Sequence, residues 1–354
     1  STIDLAKDTY QSKEIKTSMQ VSDFRHGVRR VKGKITGDLS AGTYADFIAW
    51  ALKRDFSAIT AIASVSLTVA GTGPTYTVTR GTGSYLTDGV KVGHVVRLSV
   101  GTLNAANLSK NLLVTGVTGA ALTVLPINGE ALVAEGPVAG CTVTVTGKTT
   151  FVPQSGHTDK SFDVEHWYSD LAQSEVFLGC KVESVDLSLP PTGLAQIELG
   201  VVGQDFADTA AKRGAVALTS QYFTSPGAVT TSGALAAVNG VLRMNGVAVA
   251  VLTGLSLKIA PGLSGEAVVG SNLVPFQFPG TVAVTGQATA YFDSVTLRDA
   301  FVAETEIDLV AVFTEDNTAA SHFMSVVLPR LKLGSADKGD GEGGLVQTIN
   351  FTAL

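Results

Sequence analysis

The side chains of this chain that could do chemistry are few, and their spacing argues against catalysis. Five histidines (His26, His94, His157, His166, His322) stand far apart, with no HxxxH, HExxH or CxxC spacing to gather a zinc ion. Asp163 and Glu165 share one strand face, which reads as a solvated edge, because a glycosidic acid pair needs a cleft to work in. The loop Ala336–Gly344 (ADKGDGEGG) gathers Asp337, Asp340 and Glu342 but lacks the alternating acids and terminal Glu of a calcium loop, so it reads as a solvated hairpin. Gly71–Pro74 and Gly81–Ser84 read as turns, since no GK[ST] follows either of them. There is no GxSxG elbow. No enzyme, metal or cofactor is expected. The one local positive patch is Arg25, Arg29, Arg30, Lys32 and Lys34, followed by Asp38. It lacks interleaved aromatics and reads as a subunit contact to acidic neighbours or a charged strand edge, ahead of a nucleic-acid site.

The bulk of the chain points to structure. Of 354 residues 45% are hydrophobic and 16% charged, with 38 glycines and many Val and Thr, the profile of an all-β protein with many turns. The net charge of −6 leaves no basic excess to hold phosphates, though it allows a surface along which DNA slides. Cys141 and Cys180 are too few for a disulfide framework and read as buried free thiols. No apolar leader is seen at the start, and no run of about 18 apolar residues exists to span a membrane. The expected compartment is the cytoplasm or an assembled particle.

The elements that must position these residues come in two similar sets. Residues 1–24 are polar and read as an arm, disordered or docked on a neighbour. Val31, Gly33, Ile35, Gly37 and Leu39 alternate with polar residues, giving a strand with one buried and one wet face. A helix over Tyr44–Phe56 follows, with Thr43 and Asp46 as a capping-box-like start and Tyr44, Phe47, Ile48, Ala51 and Leu52 inward. Near the end VAVTGQATAYF (Val282–Phe292) repeats the strand. A helix from about Ser294 repeats the helix, with Leu297, Ala300 and Phe301 inward. Val247–Gly262 echoes Val182–Gly193, and both halves run strand, helix, strand, strand. Residues 60–150 differ: they are Val/Thr/Gly-rich strands at short spacing with three acids against five bases, a separate small β-barrel or sandwich. The remainder carries 28 acids against 20 bases.

The expected organisation is therefore an arm (1–24), a discontinuous first unit (25–59 and 151–206), an inserted β-domain (60–150), a linker or long loop (207–240) and a second unit (241–354). A chain with one unit twice presents two similar edges, which suits a closed or stacked assembly.

The stretch SKEIKTSMQVSDFRHGVRRVKGKITGDLSAGTYADFIAWALKRDF resembles the opening of the tail tube (major tail) proteins of long, non-contractile-tailed bacteriophages. GSYLTDGVKVGHVVRL resembles their inserted β module, and SFDVEHWYSD with EVFLGCKV their next core strands. GTVAVTGQATAYFDSVTLRDAF, VVLPRLKLG and the closing INFTAL resemble their second half. The resemblance implies an all-β fold with short helices, a duplicated β-sandwich or barrel unit with an inserted small β-domain. It implies a structural virion protein whose rings stack into a tail tube for double-stranded DNA. A two-unit chain is then expected to form a trimer of pseudo-sixfold symmetry, its bore lined by acidic and small polar side chains. The insert is expected on the outside or bracing neighbouring rings. The implied partners are further copies of itself and the tape measure, tail tip and terminator proteins, with DNA in passage but not specifically bound. The implied location is the virion tail, after assembly in the host cytoplasm. The alternative is a carbohydrate-binding or adhesive β-protein on the virion surface, which requires exposed aromatics in a concave patch.

Overall fold

The computed structural model describes residues 1–13, 17–18, 23–225, 232–248, 252–291, 296–338 and 345–354. Among the described residues the chain is all-β with two short α-helices. Strands β1 (Asp4–Gln11) and β2 (Phe24–Asp38) lead into helix α1 (Ala45–Ala51). A closed six-stranded barrel follows, β3 (Ile62–Ala70), β4 (Tyr76–Arg80), β5 (Val95–Ser99), β6 (Leu112–Val117), β7 (Ala121–Pro126) and β8 (Glu135–Val145), in the order β3-β4-β7-β6-β5-β8. Next come β9 (Phe162–Tyr168), β10 (Gln173–Leu189), β11 (Gln196–Gly203) and β12 (Asp205–Phe206). The last part holds β13 (Ala236–Met244), β14 (Val247–Ala248), β15 (Leu252–Ala260), β16 (Leu263–Ser264), β17 (Phe278–Pro279) and β18 (Ala283–Tyr291). Helix α2 (Thr296–Val302), β19 (Ile307–Thr314), β20 (Phe323–Lys338) and β21 (Val346–Ala353) complete it.

Outside the barrel one sheet runs β1-β2-β11-β10-β15-β18-β21-β20-β19-β13-β14, with β9 and β12 also on β10. This order contains the same unit twice. In the first, β1 pairs β2, β2 pairs β11, β11 pairs β10 and β10 pairs β9; in the second, β15, β18, β21, β20 and β19 pair in the same succession. Helix α1 packs on β10 as α2 packs on β20.

The match holds residue by residue. Gly33 opposes Val201 as Gly286 opposes Phe351. Leu5 opposes Val31 as Ile259 opposes Val284. The pairing shifts by one residue between Val182 and Ser184 and again between Leu333 and Ser335. Bulges at equivalent sites are features of a shared backbone plan, since each re-aims the strand it interrupts. The Val247–Gly262 segment, whose pattern echoes Val182–Gly193, is not its counterpart: β15 corresponds to β1 and lies beside β10.

The apolar faces of both units share one core, including Leu187, Leu199, Leu257, Leu309 and Ile349, against which Ile48 and Ala51 of α1 pack. Trp50 stacks on Phe162 with ring centroids 5.3 Å apart, so its indole is committed to packing. Helix α1 begins at Tyr44 without a side-chain cap. Ser40 Oγ and Thr43 Oγ1 hydrogen bond to each other at 2.5 Å, which closes the preceding turn and replaces the expected capping box. In α2, Ala300 packs on the core but Phe301 is exposed rather than inward; Ser294 and the side chain of Leu297 lie outside the described residues.

Two further boundaries differ from expectation. Residues 4–11 are not a free arm but strand β1, paired with β2 of their own chain. The 207–240 stretch is not a plain linker. Residues 210–213 form a 3₁₀ turn around the fully buried Arg213, and 236–244 join the sheet against β19. Residues 339–344, the core of the acidic glycine loop, lie outside the described residues.

Candidate assembly interface

Period-two alternation on seven strands puts a polar row on one side of the sheet and the core on the other. That polar side is concave. It forms an open groove of about 1000 Å³ across β2, β11, β10, β15, β18, β21 and β20. Its lining includes Thr36, Asp38, Asp186, Gln196, Glu198, Ser256, Lys258, Thr285, Gln287, Asn350 and Thr352. Phe351 is the lone aromatic among the lining residues, and it is buried.

Lys32, Lys34 and Lys258 on this face are each paired with a carboxylate, while Asp38 makes no ion pair among the described residues. Lys34 Nζ donates to Glu198 at 2.6 Å, Lys32 Nζ to Glu183 at 2.8 Å, and Lys258 sits 3.3 Å from Asp186. The Glu198 hydrogen bond raises the Lys34 pKa, keeping it charged. In the second unit the equivalent positions are neutral: Gln287 stands where Lys34 does, Thr285 where Lys32 does, and Thr348 where Glu198 does. There Gln287 Nε2 donates to Asn350 Oδ1 at 2.9 Å, and Asn350 Nδ2 to Ser335 Oγ at 2.9 Å. The groove lining is thus small-polar with an excess of carboxylates, Asp38, Asp186 and Glu198 against Lys258.

The basic patch seen in the sequence is split by strand geometry. Lys32, Lys34 and Asp38 are on the groove side. Arg25 bonds Asp23, and Arg30 bonds Asp8, both in exposed pairs. Arg29 is half-buried and lies 3.2 Å from both Asp205 and Asp208, where Lys212 also bonds both acids. Every base of the patch therefore meets an acid of its own chain.

On the far side of the sheet the two units are covered differently. The barrel, inserted in the first unit, docks on the second: Val95, Leu113 and Ile127 pack with Val310 and Val312. Arg97 donates to Ala320 O at 2.9 Å, Asn111 Nδ2 to Ser321 O at 2.9 Å and Ser325 Oγ to Gly93 O at 2.8 Å. Gly93 has φ +87°, and a Cβ there would sit 2.1 Å from Val327 Cγ2, so close contact requires glycine.

On the first unit, residues 207–225 cover the equivalent hairpin. Glu165, matching Val310, is buried and accepts from Tyr222 N at 2.7 Å, Phe223 N at 2.9 Å and Ser174 Oγ. Burial alone raises its pKa, but those three bonds and nearby Arg213 outweigh burial and hold it below the ordinary value. Glu165 is thus no solvated edge partner for Asp163, whose carboxylate accepts from Gly179 N. The sequence signal for this buried pair was slight: a lone Lys212-Arg213 in an Ala/Ser/Thr/Gly stretch.

The second unit also reaches over the first. Along the β15–β18 connection, Asn272 O accepts from Arg29 N at 2.7 Å, Pro275 O from Gln204 at 2.9 Å and Gln277 O from Lys181 Nζ at 2.7 Å. Buried Lys53 bonds Gly280 O, and burial lowers its pKa.

Among the described residues no group of three His, Cys, Asp or Glu is placed to hold a metal, and no helix is long and apolar enough to cross a membrane. Cys141 and Cys180 are both buried and free; burial pushes the Cys180 thiol up to about 12, leaving it unreactive. No curated protein matches the chain. Residues 3–353 match the phage tail tube protein family, and the chain, duplicated unit and inserted barrel together, belongs to that family of structural tail proteins.

Proposed function

We propose that copies of this chain close into rings of three, with six units per ring, and that stacked rings form a tube through which double-stranded DNA passes on ejection. The observation that carries this reading is the β10–β15 junction, where one unit's edge is completed by the next unit inside a single chain. Two edges of the same kinds remain, on β1 and on β20, and joining them between copies removes open strand edges that would otherwise aggregate.

The bore width selects the copy number. Each chain gives the concave wall eight strands, β1, β2, β11, β10, β15, β18, β21 and β20. Strands about 4.8 Å apart and tilted about 40° make a 16-stranded barrel roughly 32 Å across its backbone, and a 24-stranded one roughly 48 Å. After about 10 Å for inward side chains, two copies leave a bore as tight as the duplex itself, and three leave clearance. The wall is lined by hydroxyls, amides and more carboxylates than lysines, so it offers no net attraction to phosphate and no base-reading aromatics. The chain has no catalytic task in this reading. It works with tape measure, tip and terminator proteins in the virion tail, after assembly in the host cytoplasm. The adhesive alternative lacks support on the concave face, where the single aromatic is buried. Negative-stain microscopy with mass measurement of the assembled protein tests the proposal: rings of three chains agree with it, whereas rings of six chains or solitary compact monomers refute it.

A further inference from the structure

The join inside the chain specifies the join between chains. At the β10–β15 junction Val185 opposes Ile259, Asp186 opposes Lys258 and Leu187 opposes Leu257. The matched ladders of the two units make Asp337 the counterpart of Asp186, since both lie two residues past the bulge serine, Ser184 or Ser335. They make Asp4 the counterpart of Lys258, since Asp4 opposes Lys32 as Lys258 opposes Thr285. Among the described residues β1 is hydrogen bonded to β2 alone, and the Lys332–Asp337 stretch of β20 to β21 alone. Ile3 already packs against Phe177 and Cys180, so β1 is seated on its own unit with its other edge outward.

We infer that a second copy of this chain lays β1 along the free edge of β20 with Leu5 opposite Ala336 and Asp4 opposite Asp337, and that this contact is an electrostatic brake on assembly. The inference rests on the ring reading above and specifies its contact. Inside the chain the junction holds an ion pair, Asp186 with Lys258 at 3.3 Å. Between copies the same position brings two carboxylates together, and like charges directly opposite destabilise a strand pair. On its own chain Asp4 faces Lys32, whose ammonium is already held by Glu183, and Asp337 faces the neutral Thr348. The inter-copy join is therefore weaker than the internal one although its backbone plan is the same. Free chains stay apart until raised concentration, salt or a preformed tail end overcomes the repulsion.

Two experiments on the full chain test this. Asp4→Cys and Asp337→Cys, both at exposed positions, are combined and oxidised; the native cysteines are buried and do not compete. Directly opposed residues come close enough for a disulfide, so linked oligomers are expected on a denaturing gel, with none from Lys7→Cys/Asp337→Cys. In the second, Asp337→Lys recreates the internal ion pair and lowers the concentration needed for assembly by about threefold to tenfold. Adding Asp4→Lys reverses the gain. Rings that form normally but cross-link only in another register, or an Asp337→Lys chain that assembles less readily, overturn the inference while leaving the ring reading intact. Absence of rings from every variant and from the unaltered chain at any concentration or salt overturns both.

Discussion

Gly33 and Gly286 occupy the same position in the two units, and replacing each by alanine separates assembly from folding. A Cβ on Gly33 would lie 2.3 Å from Ile3 Cα, 2.6 Å from Ile3 N and 2.6 Å from Thr2 O. These are backbone atoms, so no rotamer change relieves the clash, and the start of β1 must lift away. The lift releases Ile3, which is 4% exposed, at about 1.5–3 kcal/mol. It also breaks two hydrogen bonds, Thr2 N to Lys34 O at 2.9 Å and Lys34 N to Thr2 Oγ1 at 3.2 Å, at about 1 kcal/mol each. The total of roughly 3–5 kcal/mol raises the undocked population by about two to four orders of magnitude. The cost is local, because β1 ends the sheet and carries no strand beyond it. Gly33→Ala is therefore expected to keep its far-UV circular dichroism and its main unfolding transition but to lose rings in the microscope, with faster hydrogen exchange over residues 3–7. Gly286→Ala meets Phe351 at 2.4 Å and Ser256 O at 2.7 Å, where β15 also carries the internal junction to β10. It is expected to lower the denaturation midpoint of the whole chain. If Gly33→Ala assembles like the unaltered protein, or if the two variants behave alike, the assignment of the β1 edge to assembly is wrong.

The buried Glu165–Arg213 contact gives two more expectations. Glu165→Ala removes three accepted hydrogen bonds and leaves a fully buried guanidinium without its acid, costing about 3–5 kcal/mol; Glu165→Ala with Arg213→Met costs less than the single change, as a denaturation double-mutant cycle measures. Because Glu165 is held below its ordinary value of 4.5, its stabilisation is present above that pH and is lost as pH falls through the lower folded value. Proteolysis within 207–225 is expected to rise in that acid window, and in Glu165→Gln the rise is absent. Val312→Asp places a charge at a fully buried contact that belongs to the docking surface and not to the barrel's own core; limited proteolysis at both connections, 52–61 and 146–161, is expected to release an intact barrel, and an uncut chain refutes the docking role.

Sequence alone reveals whatever depends on short periods. The alternation Val31 to Leu39 shows which face of β2 is wet, because side chains on a strand switch sides at every residue. The second copy at Val282–Tyr291 is legible for the same reason. What stays hidden is pairing. Val182–Gly193 and Val247–Gly262 look alike because any half-buried strand shows that pattern; only the ladder shows that they are neighbours rather than equivalents. The groove's ion pairs join residues more than 70 positions apart, such as Lys32 with Glu183, and no local spacing announces them. Docking of the barrel did leave a trace. Val310, Ala311, Val312 and Phe313 are apolar in succession, the mark of a strand covered on both faces, where β9 offers Glu165, His166, Trp167 and Tyr168.

That contrast explains what the duplication preserves. The groove side of both units keeps the same bulge, on β10 and on β20, and a one-to-one ladder from β2 to β10 and from β18 to β20, although its side chains differ, lysine and glutamate in the first unit and glutamine and threonine in the second. A slip of one residue would turn every core side chain into the groove, so on this side the backbone plan is fixed and only polar identity is free. The outer side has no such constraint. One hairpin is capped by a six-stranded barrel on valines, its twin by 207–225 around a buried acid and arginine. Either cover removes the hairpin face from water, so a whole domain can be gained on one unit without changing the edge geometry that the other must match.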